Sequence, residues 1–519
     1  MFSDRLDRLE RIEATASLRA GLRGLEKETL RVDRLGRIAQ TAHPRGCGSA
    51  LTHPRITTDY SEALLELVTA PLPGNWQTLQ QLFDIHAFVH RETADELLWP
   101  MSMPGTLDGA ESIPIADYGP SNRGMFRTVY RRGLGHRYGR PMQAIAGVHF
   151  NYSPPSDFWP RYSQAIGSTD DLQTVRSDAL MGLVRNYYRW AWLVTYLFGA
   201  SPACDRSFLP RGHTHLRELD AATWFAPYAT SLRMSDIGYQ NTSQARVRIG
   251  TNSLSEYVAG LTEAVTSVAP QFEKIGVQVD GEYRQLNANR LQIENEYYST
   301  IRPKPAADGL RTTAGLRNTG VTYVEVRTLD LSPADPVGVN QAQLRFIEVL
   351  LLFCLLSESP PIDADEQNEI GERDVLAARE GRRPGLALPM GGRTLDIPSL
   401  GRTLATPLLE VAAVLDADSE GSDEYAASVR SALAALESPQ LTPSARLLDA
   451  LQDNGASFVE YGREVAAAHR DYFADMPFDA DKLATEERMA AESLEAAAAL
   501  EAAETQTFSE YLEDFMRGA

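Results

Sequence analysis

Glu26 and Glu28 stand two residues apart in the run Gly21-Leu22-Arg23-Gly24-Leu25-Glu26-Lys27-Glu28-Thr29-Leu30-Arg31-Val32. Gly24 on one side and Asp33 and Gly36 on the other bound a stretch that reads as a β-strand. Alternation puts both carboxylates on one face and Leu25, Lys27 and Thr29 on the other. Like charges side by side repel, so the pair suits either a solvated edge strand or a site where cations neutralise it. The pattern recurs. His149 and Asn151 share a face of the strand expected at 147–153, and Gln292, Glu294, Glu296 and Tyr298 share a face of a β segment expected at 291–298. Tyr323, Glu325 and Arg327 share a face of a strand expected at 321–329, whose reverse is Thr322, Val324, Val326 and Thr328. One antiparallel sheet of these strands has a dry side and a side lined with carboxylates, a histidine and an arginine. Converging carboxylates need neutralising, and hard divalent cations with oxygen ligands do so. Mg²⁺ shared with substrate phosphates is the common arrangement, and an imidazole also tolerates Mn²⁺. An ordinary sheet with one wet face shows the same alternation.

The elements that must hold these residues follow from periodicity and breakers. Short β runs are expected at 56–59 and 64–69, the second stopped by Pro71 and Pro73. Apolar spacing predicts helices over 3–20, 76–98, about 124–132, within 171–198 and within 246–276. From Gln341 onward almost everything reads as helix, ending in an Ala/Glu-rich helix over 480–516. With no internal repeat and no low-complexity linker, one compact unit in two zones is expected: 1–360 mixed, and 361–519 helical and packed on it.

Bulk properties narrow the partners. The chain has 519 residues, 43% hydrophobic, and a net charge of −20, which argues against nucleic acid or an anionic membrane. Cys47, Cys204 and Cys354 are scattered without CxxC spacing, as in a reducing compartment. The N-terminal stretch carries charges where a signal peptide needs an apolar core, and the apolar runs near 190–200 and 346–356 fall short of a membrane span. A cytoplasmic protein is expected, and a monomer, since no exposed apolar stripe stands out.

Other chemistry lacks support. His86 and His90 are spaced i,i+4, but Ala87 stands where an HExxH zinc site has Glu, so they read as packing. His213-Thr214-His215 reads as a polar loop. There is no P-loop, no GxGxxG after a strand and no GxSxG, which leaves chemistry that needs cations and positioned anions but no protein nucleophile.

Longer motifs carry a resemblance. Gly24–Val32, Ser49–His53, Ile56–Asp59 with Glu62–Glu66, Gly147–Asn151, Tyr228–Asp236, Leu291–Glu296, Ile301–Lys304 and Glu325–Arg327 resemble the proteobacterial glutamate–cysteine ligase family, type 1. The similarity runs nearly end to end and is weakest after about residue 360. It implies an α+β fold with a glutamine-synthetase-like curved antiparallel sheet covered by helices. It also implies ATP-dependent joining of L-glutamate to L-cysteine through an acyl phosphate. By resemblance Glu26, Glu28, Asp59, Glu66, His149 and Glu325 are metal ligands, with Mg²⁺ the expected ion. Arg233 and Arg327 match basic residues near the substrate carboxylate or the transferring phosphoryl group, and planar guanidinium forks suit either. Tyr130, Tyr239 and Tyr298 match positions lining the cysteine pocket, while Arg302 and Lys304 are candidates for the nucleotide phosphates. Relatives can carry a cysteine where this chain has Gly105, so a disulfide there is not expected. With residues 361–519 reading as helices of this family, the second ligase domain of bifunctional relatives is not expected. Rival readings are a ligase of the same fold with another amine acceptor and a non-catalytic metal- or amino-acid-binding regulator; a guanidine kinase would need a catalytic cysteine near the acceptor and is discounted, because the three cysteines lie outside the acidic motifs.

Overall fold

The computed structural model describes residues 2–93, 95–209, 215–238, 247–306, 311–417 and 423–518. Its centre is a seven-stranded antiparallel sheet built from β1 (Leu22–Val32), β2 (Ile56–Thr58), β3 (Leu64–Val68), β4 (Leu97–Leu98), β5 (Gly147–Ser153), β6 (Ile301–Lys304) and β7 (Tyr323–Asp330). The order is β6-β7-β5-β1-β3-β2, with β4 added beside the end of β1. Period-two alternation does what the sequence implies: Leu25, Thr29, Val324 and Val326 are buried among apolar side chains on the reverse face.

Helices Asn75–Glu92, Leu172–Phe198 and Gln341–Leu356 cover that reverse face. Tyr187 of the long helix shares a 2.6 Å hydrogen bond with Thr328 of β7. Asp171 starts this helix by accepting from the Gln173 and Thr174 amides, a cap worth about 1 kcal/mol. Gln341–Leu356 opens with an Asn340/Gln343 capping box, and from Phe346 to Leu356 it is almost wholly apolar and buried on every side. Helices beyond residue 360 pack on this layer: Ala364–Glu380 on Leu172–Phe198, Glu424–Glu437 on Gln341–Leu356, and Phe458–Asp475 on Asn75–Glu92. His86 and His90 stack on Phe473, at 5.6 and 4.8 Å between ring centroids, which is a packing role. No helix among the described residues is long and apolar enough to cross a membrane.

Several elements differ from expectation. Residues 291–298 form no strand but a 3-10 turn, Glu294–Glu296. There Glu296 accepts from Arg137 at 2.9 Å, Tyr138 at 2.6 Å and the Gln292 amide at 2.7 Å, while Glu294 accepts from Thr313 at 2.6 Å. Side-chain bonds of this kind replace the ladder a strand would need. The helix expected over 76–98 stops at Glu92, freeing Leu97 and Leu98 to pair with β1. The 246–276 region holds Leu254–Thr266 and a one-turn helix Pro270–Glu273, divided before Pro270. The N-terminal helix is Phe2–Arg11, followed by a 3-10 turn Thr15–Ala20. The terminal helix is two, Ala480–Ala502 and Phe508–Arg517. The second has its own Thr507/Glu510 capping box and lays Phe515 4.6 Å from Phe126. A hairpin, Ala387–Met390 with Arg393–Asp396, interrupts the helical zone. Its turn needs φ of 62° and 72° at Gly391 and Gly392, conformations that favour glycine.

Candidate active site

Strand register assembles the site. Pairing of β1 with β5 sets Glu26 opposite His149, and pairing of β1 with β3 sets Glu28 opposite Glu66. Pairing of β7 with β5 and β6 sets Glu325 opposite Asn151 and Arg302. Directly opposite residues project to one face, so carboxylates distant in the chain converge there. Glu26 lies 3.0 Å from His149 Nδ1 and accepts from Asn151 Nδ2 at 2.8 Å. His149 Nε2 is 3.6 Å from Glu28, and its Nδ1 is 3.7 Å from Glu325. One ligand atom each from Glu26, His149 and Glu325 falls within a 4.8 Å span, a grouping that can hold a metal ion. Asp59, just after β2, faces Arg131 at 3.8 Å, and Glu28 also accepts from the Gly147 amide at 2.7 Å.

The charges are divided unequally. Burial pushes Glu66 well above the ordinary carboxylate value, and the charges of Glu26, Asp59 and Glu28 add to it. Glu28 is raised as well, mainly by burial. For Glu26, burial and the Glu325 charge act upward, but the His149 hydrogen bond and the His149 and Lys304 charges outweigh them, and it sits low. Burial acts upward on Glu325 too, yet Lys304, Arg327 and Arg302 hold it well below the ordinary value. The Glu28–Glu66 side is therefore short of positive charge. Asn151 Oδ1, buried beside Glu26, has no hydrogen-bond partner among the described residues. An oxygen-rich donor set with one imidazole, charge-deficient on one side, fits hard divalent cations.

Cationic residues border the carboxylates. Arg327 contacts Glu325 and reaches His149 Nδ1 at 3.4 Å. Lys304 lies 2.9 Å and Arg302 4.0 Å from Glu325. Arg233 donates to the Arg327 carbonyl at 2.8 Å and lies 3.6 Å from Asp330. Its path needs Gly147, where a Cβ would stand 2.1 Å from the guanidinium. Tyr298 donates to the Met234 sulfur at 3.3 Å, and burial pushes up the hydroxyl of Tyr130 on the Asn122–Tyr138 helix, with the Glu296 charge adding to it and Arg131 and Arg302 opposing. Tyr239, His213 and Thr214 lie outside the described residues.

Glu294 and Glu296 do not join this face; they are buried structural acceptors. Sequence reasoning passed over Asp330, which accepts from the Ala200 amide at 2.9 Å, Ser201 at 2.6 Å and Ser231 at 3.0 Å while facing Arg233. It also passed over Arg131, which stacks on Tyr118 at 4.5 Å. Their only signal is position at a strand end and on a helix face. All three cysteines are free and buried. Gly105 sits tightly, since a Cβ there would meet the Gly36 carbonyl oxygen at 2.2 Å.

Sheet, helical cover and carboxylate face define a glutamine-synthetase-like ligase. The chain belongs to the glutamate–cysteine ligase family, whose model matches residues 6–375. It is 46% identical over 467 residues to the glutamate–cysteine ligase of Pseudomonas putida, covering 90% of this chain and 89% of that one. The 2.0 Å crystal structure of glutamate–cysteine ligase from Francisella tularensis in complex with AMP matches at a TM-score of 0.90 and 32% identity, over 96% of this chain and 98% of that chain. A bifunctional glutathione synthetase from Pasteurella multocida shares the fold, with a TM-score of 0.74 at 23% identity over 93% of this chain and 58% of its own.

Proposed function

We propose that this chain joins the γ-carboxylate of L-glutamate to the amine of L-cysteine with ATP, giving γ-glutamylcysteine, ADP and phosphate. The observation that carries this reading is the register that brings Glu26, His149 and Glu325 together beside Arg327 and Lys304 in a chain of this family. Glu26, Glu28, Asp59, Glu66, His149 and Glu325 would hold Mg²⁺, with Mn²⁺ also compatible. When bound, the cation supplies neutralising charge for the nucleotide phosphates.

The side chains have distinct tasks in this scheme. Lys304 and Arg302 orient the phosphates. Arg327 and Arg233 take the developing phosphoryl charge and the glutamate carboxylate, and as positioned cations they contribute most where substrate charge is concentrated. A γ-carboxylate oxygen attacks the terminal phosphorus and ADP leaves. The cysteine nitrogen then attacks the acyl carbon, loses a proton and expels phosphate. Tyr130, Tyr239 and Tyr298 wall the acceptor. The relative crystallised with AMP supports nucleotide use. The buried free cysteines are compatible with a cytoplasmic setting. Large exposed apolar side chains among the described residues are scattered, which supports a monomer.

The test is ADP release from purified protein with Mg-ATP and L-glutamate, with L-cysteine compared against a panel of amines. Cysteine-dependent release with γ-glutamylcysteine as product is expected. Turnover only with a different amine would reassign the acceptor, and no turnover with any would overturn the enzymatic reading.

A further inference from the structure

Tyr130 and Tyr298 differ from the carboxylates in how they are held. Tyr130 stands on the Asn122–Tyr138 helix, and Tyr298 follows the 3-10 turn Glu294–Glu296 and precedes β6. Neither belongs to a strand, so the register that fixes Glu26, His149 and Glu325 does not fix them. Both are tied instead to the helix Phe508–Arg517, near the end of the chain. Phe508 and Leu512 are buried in a small apolar cluster apart from the main core, with Phe126 and Val129 of the Asn122–Tyr138 helix and with Leu286 and Ile293. Tyr130 packs against the same cluster.

One side of the C-terminal segment grips the Tyr130 helix. Glu504 accepts from the Asn122 amide at 2.9 Å and from its side-chain amide, which also donates to the Gln506 carbonyl at 3.0 Å. These bonds hold the first turn, whose amides have no partner within the helix. A turn further on, Tyr511 meets the Phe126 ring edge-on at 6.2 Å, beside Phe515. The other side grips the turn that leads to Tyr298. Arg311 donates to the Phe515 carbonyl at 2.9 Å, lies 4.3 Å above the Phe515 ring and faces Glu294 at 3.8 Å. Asn287 donates to the Met516 sulfur at 3.5 Å. Glu294 in turn accepts the Tyr297 amide at its carbonyl, at 3.1 Å. Phe515 is thus in contact with both walls at once, through Phe126 and through Arg311.

We propose that the helix Phe508–Arg517 sets the affinity for the amine acceptor, with Phe515 the positioning residue that holds the Tyr130 and Tyr298 walls at a fixed separation. This rests on the acceptor role proposed for those tyrosines. The sheet holds the carboxylates, Arg327 and Lys304 independently, so loosening the helix acts on the acceptor and spares glutamate.

Steady-state kinetics of the full chain, read as ADP release, test this. Phe515→Ala should raise the KM for L-cysteine by about tenfold and leave the KM for L-glutamate within about twofold of wild type. Phe515→Tyr keeps the ring and should restore the wild-type value for cysteine. Glu504→Ala frees only the start of the Asn122–Tyr138 helix from an exposed position, and should shift the cysteine KM in the same direction by about threefold. An unchanged cysteine KM in both alanine variants, an equal rise for both amino acids, or no rescue by tyrosine would each overturn the proposal while leaving the ligase reading intact. Wild-type protein without acceptor-dependent turnover would overturn that reading and this inference with it.

Discussion

Glu325 serves two sets of neighbours at once. It is 1% exposed, faces His149 and Glu26 on one side, and neutralises Lys304 and Arg327 on the other. Glu325→Gln keeps the shape but leaves those cations uncompensated and the cation site short of one ligand. Turnover should fall by about 10²-fold or more, read as ADP release, with a lowered Tm. A wild-type rate in that variant would remove Glu325 from the site. Glu66 and Glu28 make the complementary case. Their folded-state values are raised above the ordinary 4.5, so the stability they contribute is present at low pH and is lost as pH rises through those raised values. A divalent cation bound there reverses the loss. Added MgCl₂ should therefore raise Tm more above neutrality than at about pH 5. The gain approaches about 2.7 kcal/mol when Mg²⁺ stands near about 100 times its Kd. An equal rise at both pH values would contradict the assignment.

At the scale of the element, β7 positions a residue it does not contain. Asp330 closes the strand and gathers Ala200, Ser201 and Ser231 while its charge faces Arg233. Asp330→Asn preserves the volume and removes the charge. It should raise the KM for glutamate or lower turnover by about tenfold, which is about 1.4 kcal/mol, and it should also lower Tm, because the buried Arg233 loses its counter-charge. Unaltered kinetics would confine Asp330 to packing. The helix Gln341–Leu356 shows the opposite behaviour. Cys354 is wholly buried there, and burial pushes its thiol up, away from reactivity. Cys354→Ser should cost about 1–3 kcal/mol in thermal unfolding and leave the rate of ADP release intact.

Across the whole molecule, one buried ion pair joins the sheet to the later helices. Arg23 of β1 binds Glu348 of Gln341–Leu356, and Glu348 also accepts from Asn75 at 2.8 Å and Tyr425 at 2.9 Å. Four elements far apart in sequence thus meet at a single carboxylate. Glu348→Ala leaves Arg23 buried and unpaired, and should cost about 3–5 kcal/mol in denaturant unfolding. An effect below about 1 kcal/mol would show that the pair is dispensable.

The sequence alone determined the features that depend on near neighbours. Alternation has a period of two and needs no partner, so Glu26 with Glu28, His149 with Asn151, and Glu325 with Arg327 could be placed on faces before any strand was paired. The long helix after Asp171 was legible for the same reason, since its cap and its Gly199 terminus are local. Family motifs added Asp59, Glu66 and Arg233, whose types alone said little. Tertiary structure decided which acidic residues face the cations. Glu294 and Glu296 have the right spacing, yet Arg137, Tyr138 and Thr313 capture them from other elements and turn the chain. Asp330 and Glu348 likewise take their meaning from partners more than 70 residues away. Long-range pairing and desolvation set those roles, and neither leaves a periodic mark on the chain.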